Sequence, residues 1–488
     1  MGRWMKVLLA TTCCVLILAA AQRSPWVTRQ AGQLHALHQD VRQSGMLRLG
    51  GITIAVPWAL ERVQPNPFTF VRSPSWSKTD AAVAQLQRRL TDRPDDPAAA
   101  RFYAQLGSAY LQKARETGDP SYYTRAEGSL QKSLALVPDD PSSMVAMGSL
   151  HLARHSFAAA LEWAERALRL DPTSYHAHGV AGDAAIELGR YTQAFASFQK
   201  MGDLRPGLAS YSRASYSREL LGDLPGAIEA MRLAVSAGAS QDEATNWARV
   251  QLGHLSFLTG DLDGAEREYE LSLRLLPGYV HGLGGLGKVA AARGNLSVAA
   301  GFYTRALAVA PVAEYAIALG SIHQASGNHA AATQQNDLVR VIAQLQRDGG
   351  VDLDLEMALF EVDHTNDGAA IAAGVRTVRT HYQQRPSIFA ADALAWSLYR
   401  TGEWNEALPY AREALRLGSK DPLLLYHAGV IAAAAGQPTE ARGYLEESLA
   451  RNPRFHVRLA PEAKRLIDQL SSQLDPRVVG RFLAVDFS

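Results

Sequence analysis

From Asp80 onward, apolar residues recur with the three-to-four-residue period of an amphipathic helix, beginning at Ala82, Val83, Leu86 and Leu90. Beyond this helix a longer period takes over. Small residues stand 34 apart at Gly148 and Gly182, and again at Gly253 and Gly287, with Gly320 following 33 later. An alanine lies twelve positions after each of them: Ala160, Ala194, Ala265, Ala299 and Ala332. A third series is proline, at Pro138, Pro172, Pro206, Pro277 and Pro311. Three series in phase predict one helical hairpin per period. Small residues at the first two points let its helices approach closely, and the proline closes the second helix. Gly189, Gly222, Gly260, Gly294 and Gly327 fall between the paired helices, where a C-terminal cap is needed. Each hairpin keeps an apolar face that only its neighbours can cover, so the hairpins must stack.

The fullest copies run over 141–172, 174–206, 246–277, 279–311 and 422–453. Residues 208–239 and 386–419 match less fully, with Ser215 and Ala395 in place of glycine while Ala227 and Ala407 keep the next register. The first copy starts near Asp96 and carries about seven extra residues, 114–120. Residues 334–385 depart from the pattern, with a helix overrunning to about Arg347, a break at Gly349 and Gly350, and an irregular helix pair. This predicts a degenerate repeat, or a kink between a long and a short stack. Residues 386–470 then resume the array and end in a capping helix near 461–470, before a polar and apolar tail over 471–488. About nine hairpins are expected, the longest run of them over 80–333.

Ahead of the array the pattern is different. Arg3 and Lys6 precede an apolar run from Val7 to Ala21 that ends in small residues. This is the layout of a signal peptide, with an uncleaved single-span anchor as the alternative for 1–21. Residues 22–79 are broken by Pro57, Pro65, Pro67 and Pro74, and read as an irregular linker or arm; a strand at 51–56 would have no partner in a helical chain.

At 488 residues the chain exceeds what one hydrophobic core organises, which a repeat array resolves without enlarging any core. A net charge of +1 gives no overall field for a polyanion, so nucleic acid is not an expected partner. Both cysteines, Cys13 and Cys14, lie in the N-terminal apolar run, which leaves no disulfide or thiolate metal site in the array.

The in-phase series, with Tyr110, Phe198, Tyr269 and Tyr303 as the large residues, resembles the tetratricopeptide repeat family over about three quarters of the chain. The resemblance implies an all-α, right-handed superhelical solenoid of antiparallel helix pairs. It also implies a scaffold that binds a protein or peptide partner in a concave groove, lined by the first helix of each hairpin. Carried over copy by copy, the groove positions include His176 and Asp183; Tyr216 and Glu219; Trp247, His254 and Phe257; Lys288; and Phe389, Trp396 and Tyr399, with Glu187 beside them as a flanking acid. Aromatic anchors flanked by acids are what a binding concavity favours.

No catalytic constellation stands out: HExxH, GxxxxGK[ST] and GxSxG are absent, and no cofactor is implied. The glycines at 282–287 fall on a packing position and follow no strand. The acidic segment with Asp352, Asp354, Asp363 and Asp367 is the one candidate for a metal or small-ligand site, against helix capping and an Asp-Gly turn. An envelope polysaccharide is a further expected ligand class for exposed groove aromatics. The expectation is therefore an exported protein, periplasmic, secreted or membrane-anchored at its N-terminus, with membrane contact only through that segment if it is retained.

Overall fold

The computed structural model describes residues 46–49, 52–55, 74–92, 94–365 and 367–471. Residues 1–21 with both cysteines, and the expected tail beyond Ser471, lie outside these residues. The chain divides into two compact units, 1–71 and 72–488. In the first, strand β1 (Met46–Leu49) pairs antiparallel with β2 (Ile52–Ala55), Leu49 opposite Ile52. The strand expected to lack a partner finds one in the segment immediately before it.

The second unit is wholly helical among the described residues. A lead helix, α1 (Pro74–Thr91), starts ahead of the expected Asp80. Ten antiparallel hairpins follow. They are α2–α3 (Ala100–Thr117, Ser121–Leu136), α4–α5 (Pro141–Ala153, Phe157–Leu170), α6–α7 (Tyr175–Glu187, Tyr191–Leu204), α8–α9 (Leu208–Leu220, Leu224–Ala237) and α10–α11 (Glu243–Leu258, Leu262–Leu275). The rest are α12–α13 (Val280–Ala292, Leu296–Val309), α14–α15 (Ala313–Ala325, His329–Asp348), α16–α17 (Asp354–His364, Gly368–Gln384), α18–α19 (Ile388–Arg400, Trp404–Ala414) and α20–α21 (Pro422–Ala434, Pro438–Arg451). Helix α22 (Leu459–Ser471) ends the stack. The fold is an all-α solenoid of antiparallel helix pairs.

Local chemistry sets these boundaries. Asp140 and Asp421 cap α4 and α20 with a side-chain oxygen and are each followed by proline in the first turn; Ser174 and Ser387 cap α6 and α18 in the same way. Inside a hairpin, the small residue of the first helix receives the large residue of the second. A Cβ at Gly182 would lie 2.3 Å from the Phe198 ring, and one at Gly253 2.5 Å from the Tyr269 ring. Ser215 substitutes for glycine because its hydroxyl donates to the Ala227 carbonyl at 2.7 Å across the hairpin. The seven extra residues of the first copy lengthen α2 to 18 residues and leave the pairing intact: Gly107 still receives Leu130.

The departure at 334–385 is a complete hairpin with exchanged roles. In α16–α17 the small residue is Gly374 of the second helix, and Val362 of the first fills its space. That exchange removes the repeat signature without removing the packing. The joint before it is lean: Phe360 sits among Ala316, Val339 and Ile342, and Arg340 forks onto Glu361 at 2.8 and 2.9 Å.

The superhelix also closes on itself, with a fixed offset of five hairpins. The turn of the second hairpin meets the loop after the seventh, where Arg154 Nε donates to the Gly349 carbonyl at 3.1 Å and Asp352 N to the Arg154 carbonyl at 3.0 Å. The third meets the loop after the eighth, Ile388 N donating to Tyr191 Oη at 2.7 Å. The fourth meets the loop after the ninth, where Gly222 packs on the Gly418 carbonyl. The fifth meets the loop after the tenth, Asn452 Nδ2 donating to the Phe257 carbonyl at 2.7 Å. Gly118 in the first turn packs on Ala310, which continues the series. Successive superhelical turns are thereby riveted together at the hairpin turns that border the inner face of α4 to α10.

Candidate functional site

The first helices α4, α6, α8 and α10 line a cleft of about 510 Å³ on this inner face. Its wall contains Asp183, Ile186 and Glu187 from α6, Ser212, Arg213, Tyr216 and Glu219 from α8, and Trp247 and Gln251 from α10. Phe157, the first residue of α5, closes one side. Five of the twelve groove residues read from the sequence, Asp183, Glu187, Tyr216, Glu219 and Trp247, therefore meet in one place. They do so because 33 to 35 residues bring each first helix back to the same angular position.

The electrostatics of the cleft are uneven. Arg213 forks onto Asp183, Nε to Oδ1 at 2.9 Å and Nη2 to Oδ2 at 2.5 Å, and this charge pair is satisfied internally. Glu187 and Glu219 are not: among the described residues neither has a hydrogen-bond or ion-pair partner. Burial pushes the Glu219 carboxyl up to about 7, with Asp421 adding to the rise and Lys288 opposing it. Burial likewise raises Glu187, helped by Glu356 and Asp183 and opposed by His155 and Arg385. The nearby cations have other engagements. The His155 ring lies 3.3 Å from Glu356, Arg385 donates to His381 Nδ1 at 2.8 Å, and the Lys288 ammonium sits 4.7 Å over the Phe257 ring.

Seven groove residues read from the sequence fall outside this cleft. His176 lies against its neighbour Tyr175, with ring centroids 4.0 Å apart. His254 is packed with its Nδ1 accepting from Tyr269 Oη at 2.7 Å, Phe257 is buried, and Lys288 covers Phe257. Phe389 is exposed on α18, away from the cleft. Trp396 and Tyr399 are corrections in the strict sense: both are core residues. Trp396 Nε1 donates to Asp363 at 2.8 Å and its ring stacks 4.1 Å from His427. They share the register of groove positions, but beyond Phe389 α18 is packed into the core, with Leu394, Ala395, Ser397 and Leu398 at zero exposure. Phe157, Arg213 and Gln251 were missed. Arg213 had a usable signal, standing 30 residues after Asp183 on the next first helix; Phe157 had none, since it comes from a second helix.

The acidic quartet does not assemble. Asp352 and Asp354 converge with His381, their ligand atoms within 4.8 Å of one another. Asp363 instead serves Trp396 and lies 3.6 Å from Arg400, and Asp367 caps α17 by accepting from Ala369 N at 2.9 Å. Arg347 stands 3.8 Å from Asp354, and Arg385 occupies one nitrogen of His381. The bland reading, capping and an Asp-Gly turn, describes Asp367.

Buried histidines make the array sensitive to acid. His456 accepts from the Arg458 and Leu459 amides, both at 3.2 Å, and so caps α22 in its neutral form. Burial, with Arg458 and Lys288 nearby, lowers it to about 4; burial lowers His254 to about 3. Below 6.5 the unfolded chain takes up these protons and the folded chain does not. Stability therefore falls as pH drops from about 6.5 towards 4, by at most about 1.4 kcal/mol per pH unit for each ring. Glu219 works the other way between about 7 and 4.5 and offsets one ring. His456→Asn keeps a cap acceptor and removes the titration. Urea midpoints of this variant should decline less between pH 6.5 and 4.5 than those of the parent; an equal decline would contradict the assignment.

With the cleft described, its relatives can be placed. The tetratricopeptide repeat family matches residues 114–175, 145–209 and 393–454. Cellulose synthase 1 operon protein C of Komagataeibacter xylinus is 26% identical over 348 residues, covering 68% of this chain and 23% of that protein. Human tetratricopeptide repeat protein 36 is 35% identical over 96 residues, covering 20% of this chain and 47% of its own. The chain thus spans from about a quarter to about half the length of these curated relatives. Among solved structures, a thermophilic tetratricopeptide-repeat protein of Thermus thermophilus is similar over 37% of this chain and 92% of its own, at 20% identity and a TM-score of 0.33. The matched stretches carry tetratricopeptide repeats, and the described residues fold as the all-α solenoid of antiparallel helix pairs that such repeats build. That fold is characteristically a non-catalytic scaffold that binds protein or peptide partners in a concave groove.

Proposed function

We infer that this chain gathers a protein or peptide partner in the cleft formed by Asp183, Glu187, Tyr216, Glu219 and Trp247. The observation that carries this reading is the exposure of Trp247. Trp247 is 39% exposed within the cleft wall, whereas Phe257, Trp396 and Tyr399 are used up in packing and Phe389, equally exposed, is not part of the cleft lining. An aromatic ring left available in an enclosed concavity is the kind of anchor around which binding energy concentrates. The test is capture by the full chain on an array of blocked 12-residue peptides of random sequence, compared with Trp247→Ala. Reproducible capture lost in the variant supports the groove; capture unchanged in the variant removes it.

The charged start and apolar run at 1–21 support an exported protein, free or tethered by that run. Among the described residues no helix is long and apolar enough to cross a membrane. Mass determination of the mature N-terminus separates the two forms; an intact chain found only in the cytosol would overturn both. A second reading, an envelope polysaccharide in the same cleft, draws on the name of the Komagataeibacter relative. Cello-oligosaccharide binding that Trp247→Ala abolishes, with no peptide captured, would replace the first reading.

A further inference from the structure

We propose that the cleft recognises an extended peptide segment bearing a lysine or arginine, whose cationic group pairs with the Glu219 or the Glu187 carboxylate and whose aliphatic stem lies on Tyr216 and Trp247. This rests on the reading of the cleft as a partner groove and names the chemistry of the partner.

Four observations converge on a cation. Both carboxylates line the cleft and lack a hydrogen-bond or ion-pair partner among the described residues, while Asp183, one helical turn before Glu187, has its own arginine. The cations that face the two acids are committed to other groups: His155 to Glu356, Arg385 to His381 and the Phe157 face, Lys288 to the Phe257 face. The remaining charges around them, Asp421 near Glu219 and Glu356 and Asp183 near Glu187, are acidic and deepen the demand for positive charge. Finally, the lining aromatics suit a cationic side chain. An ammonium or guanidinium is attracted to the face of an indole or phenol ring, and the methylenes of lysine and arginine cover apolar surface while the head reaches a polar partner.

Size and enclosure narrow the occupant further. A cleft of about 510 Å³ takes a few side chains, not the face of a folded domain. The turns beside it at Gly189 and Gly222 are riveted to the loops at Pro386 and Gly418, which closes the slot between successive superhelical turns. A single extended segment meets both conditions.

The pH dependence follows with its sign. A basic side chain binds the ionised carboxylates, and Glu219 is held protonated up to about 7. Affinity therefore rises as pH is raised through about 7. Deprotonation of His155, whose own proton is held by Glu356 and Glu187, leaves Glu187 less compensated and acts in the same direction.

The experiment uses the full chain and the blocked random 12-residue peptides, with titrations of the best binders at pH 6 and pH 8. Enriched peptides are expected to carry lysine or arginine next to an apolar residue. Their affinity should rise about tenfold from pH 6 to pH 8. In the Glu187→Gln/Glu219→Gln variant it should fall at least tenfold at pH 8 and lose its pH dependence. Burial disfavours the ionised form of both carboxylates, so removing their charge should leave the melting temperature at pH 8 unchanged or higher, and the wild-type pH profile stands as an independent readout. Enrichment without basic residues, or equal binding by the double variant, overturns the proposal. So does spermidine binding as tightly as the best peptide, since a bare polyamine would then suffice. Capture that needs Trp247 but shows no basic preference sinks this inference and leaves the groove reading intact; no capture at all sinks the groove reading.

Discussion

Replacing Gly222 with alanine should destabilise the array by about 3 kcal/mol or more, while the same change at Gly294 should remove only about 1–2 kcal/mol. Both residues close a hairpin turn in the left-handed region, with φ of 78° and 81° respectively. A Cβ in that conformation costs roughly 1–2 kcal/mol against the following carbonyl, so the backbone penalty is common to both. Their surroundings differ. A Cβ at Gly294 meets nothing within 4 Å, whereas one at Gly222 would lie 2.3 Å from the Gly418 carbonyl oxygen. A backbone oxygen cannot rotate aside, so the two superhelical turns must part there, and the loss spreads to the contacts that the closure holds. Urea midpoints measure the first effect and the small-angle scattering radius of gyration the second. Gly222→Ala should show a larger radius at unchanged helix content, and Gly294→Ala should not. Equal losses with equal radii would mean that the turns are not in contact in solution.

The second large effect separates two tryptophans that the repeat register treats alike. Trp247→Ala should weaken partner capture by about 30-fold or more, since a central aromatic anchor contributes about 2 kcal/mol or more. Its cost to stability should be small, because the ring is 39% exposed. Trp396→Ala should do the reverse. Its ring is 5% exposed, stacks on His427 and donates to Asp363, so its loss should cost about 3–5 kcal/mol and leave the affinity of the folded fraction unchanged. Chemical denaturation and peptide titration of the two variants score both halves.

That contrast marks how far the sequence could be read. The hairpins were legible because each is a local object: Gly182 and Phe198, or Gly253 and Tyr269, meet within one repeat and leave a fixed spacing. The α16–α17 hairpin was legible only as an irregular helix pair, because Gly374 and Val362 exchange the small and large roles and the usual spacing is lost. Among the described residues the array holds ten hairpins, where about nine were expected. Self-closure was illegible for a different reason. Whether Asn452 reaches the Phe257 carbonyl depends on small rotations accumulated over five hairpins, and no spacing records that sum. The site was half legible on the same grounds. Register put Asp183, Tyr216, Glu219 and Trp247 on one inner face, with Glu187 beside them, but it could not say that α18 beyond Phe389 would be packed into the core.

Trp247 and Phe389 supply the most direct test of the groove, because both are 39% exposed and only the first lies in the cleft. A photo-crosslinking p-benzoylphenylalanine placed at either position is irradiated with the captured peptide, and the adducts are counted by mass spectrometry. Adducts should form at position 247 and stay at background at position 389. Equal labelling at the two positions, or labelling at 389 alone, would contradict the groove.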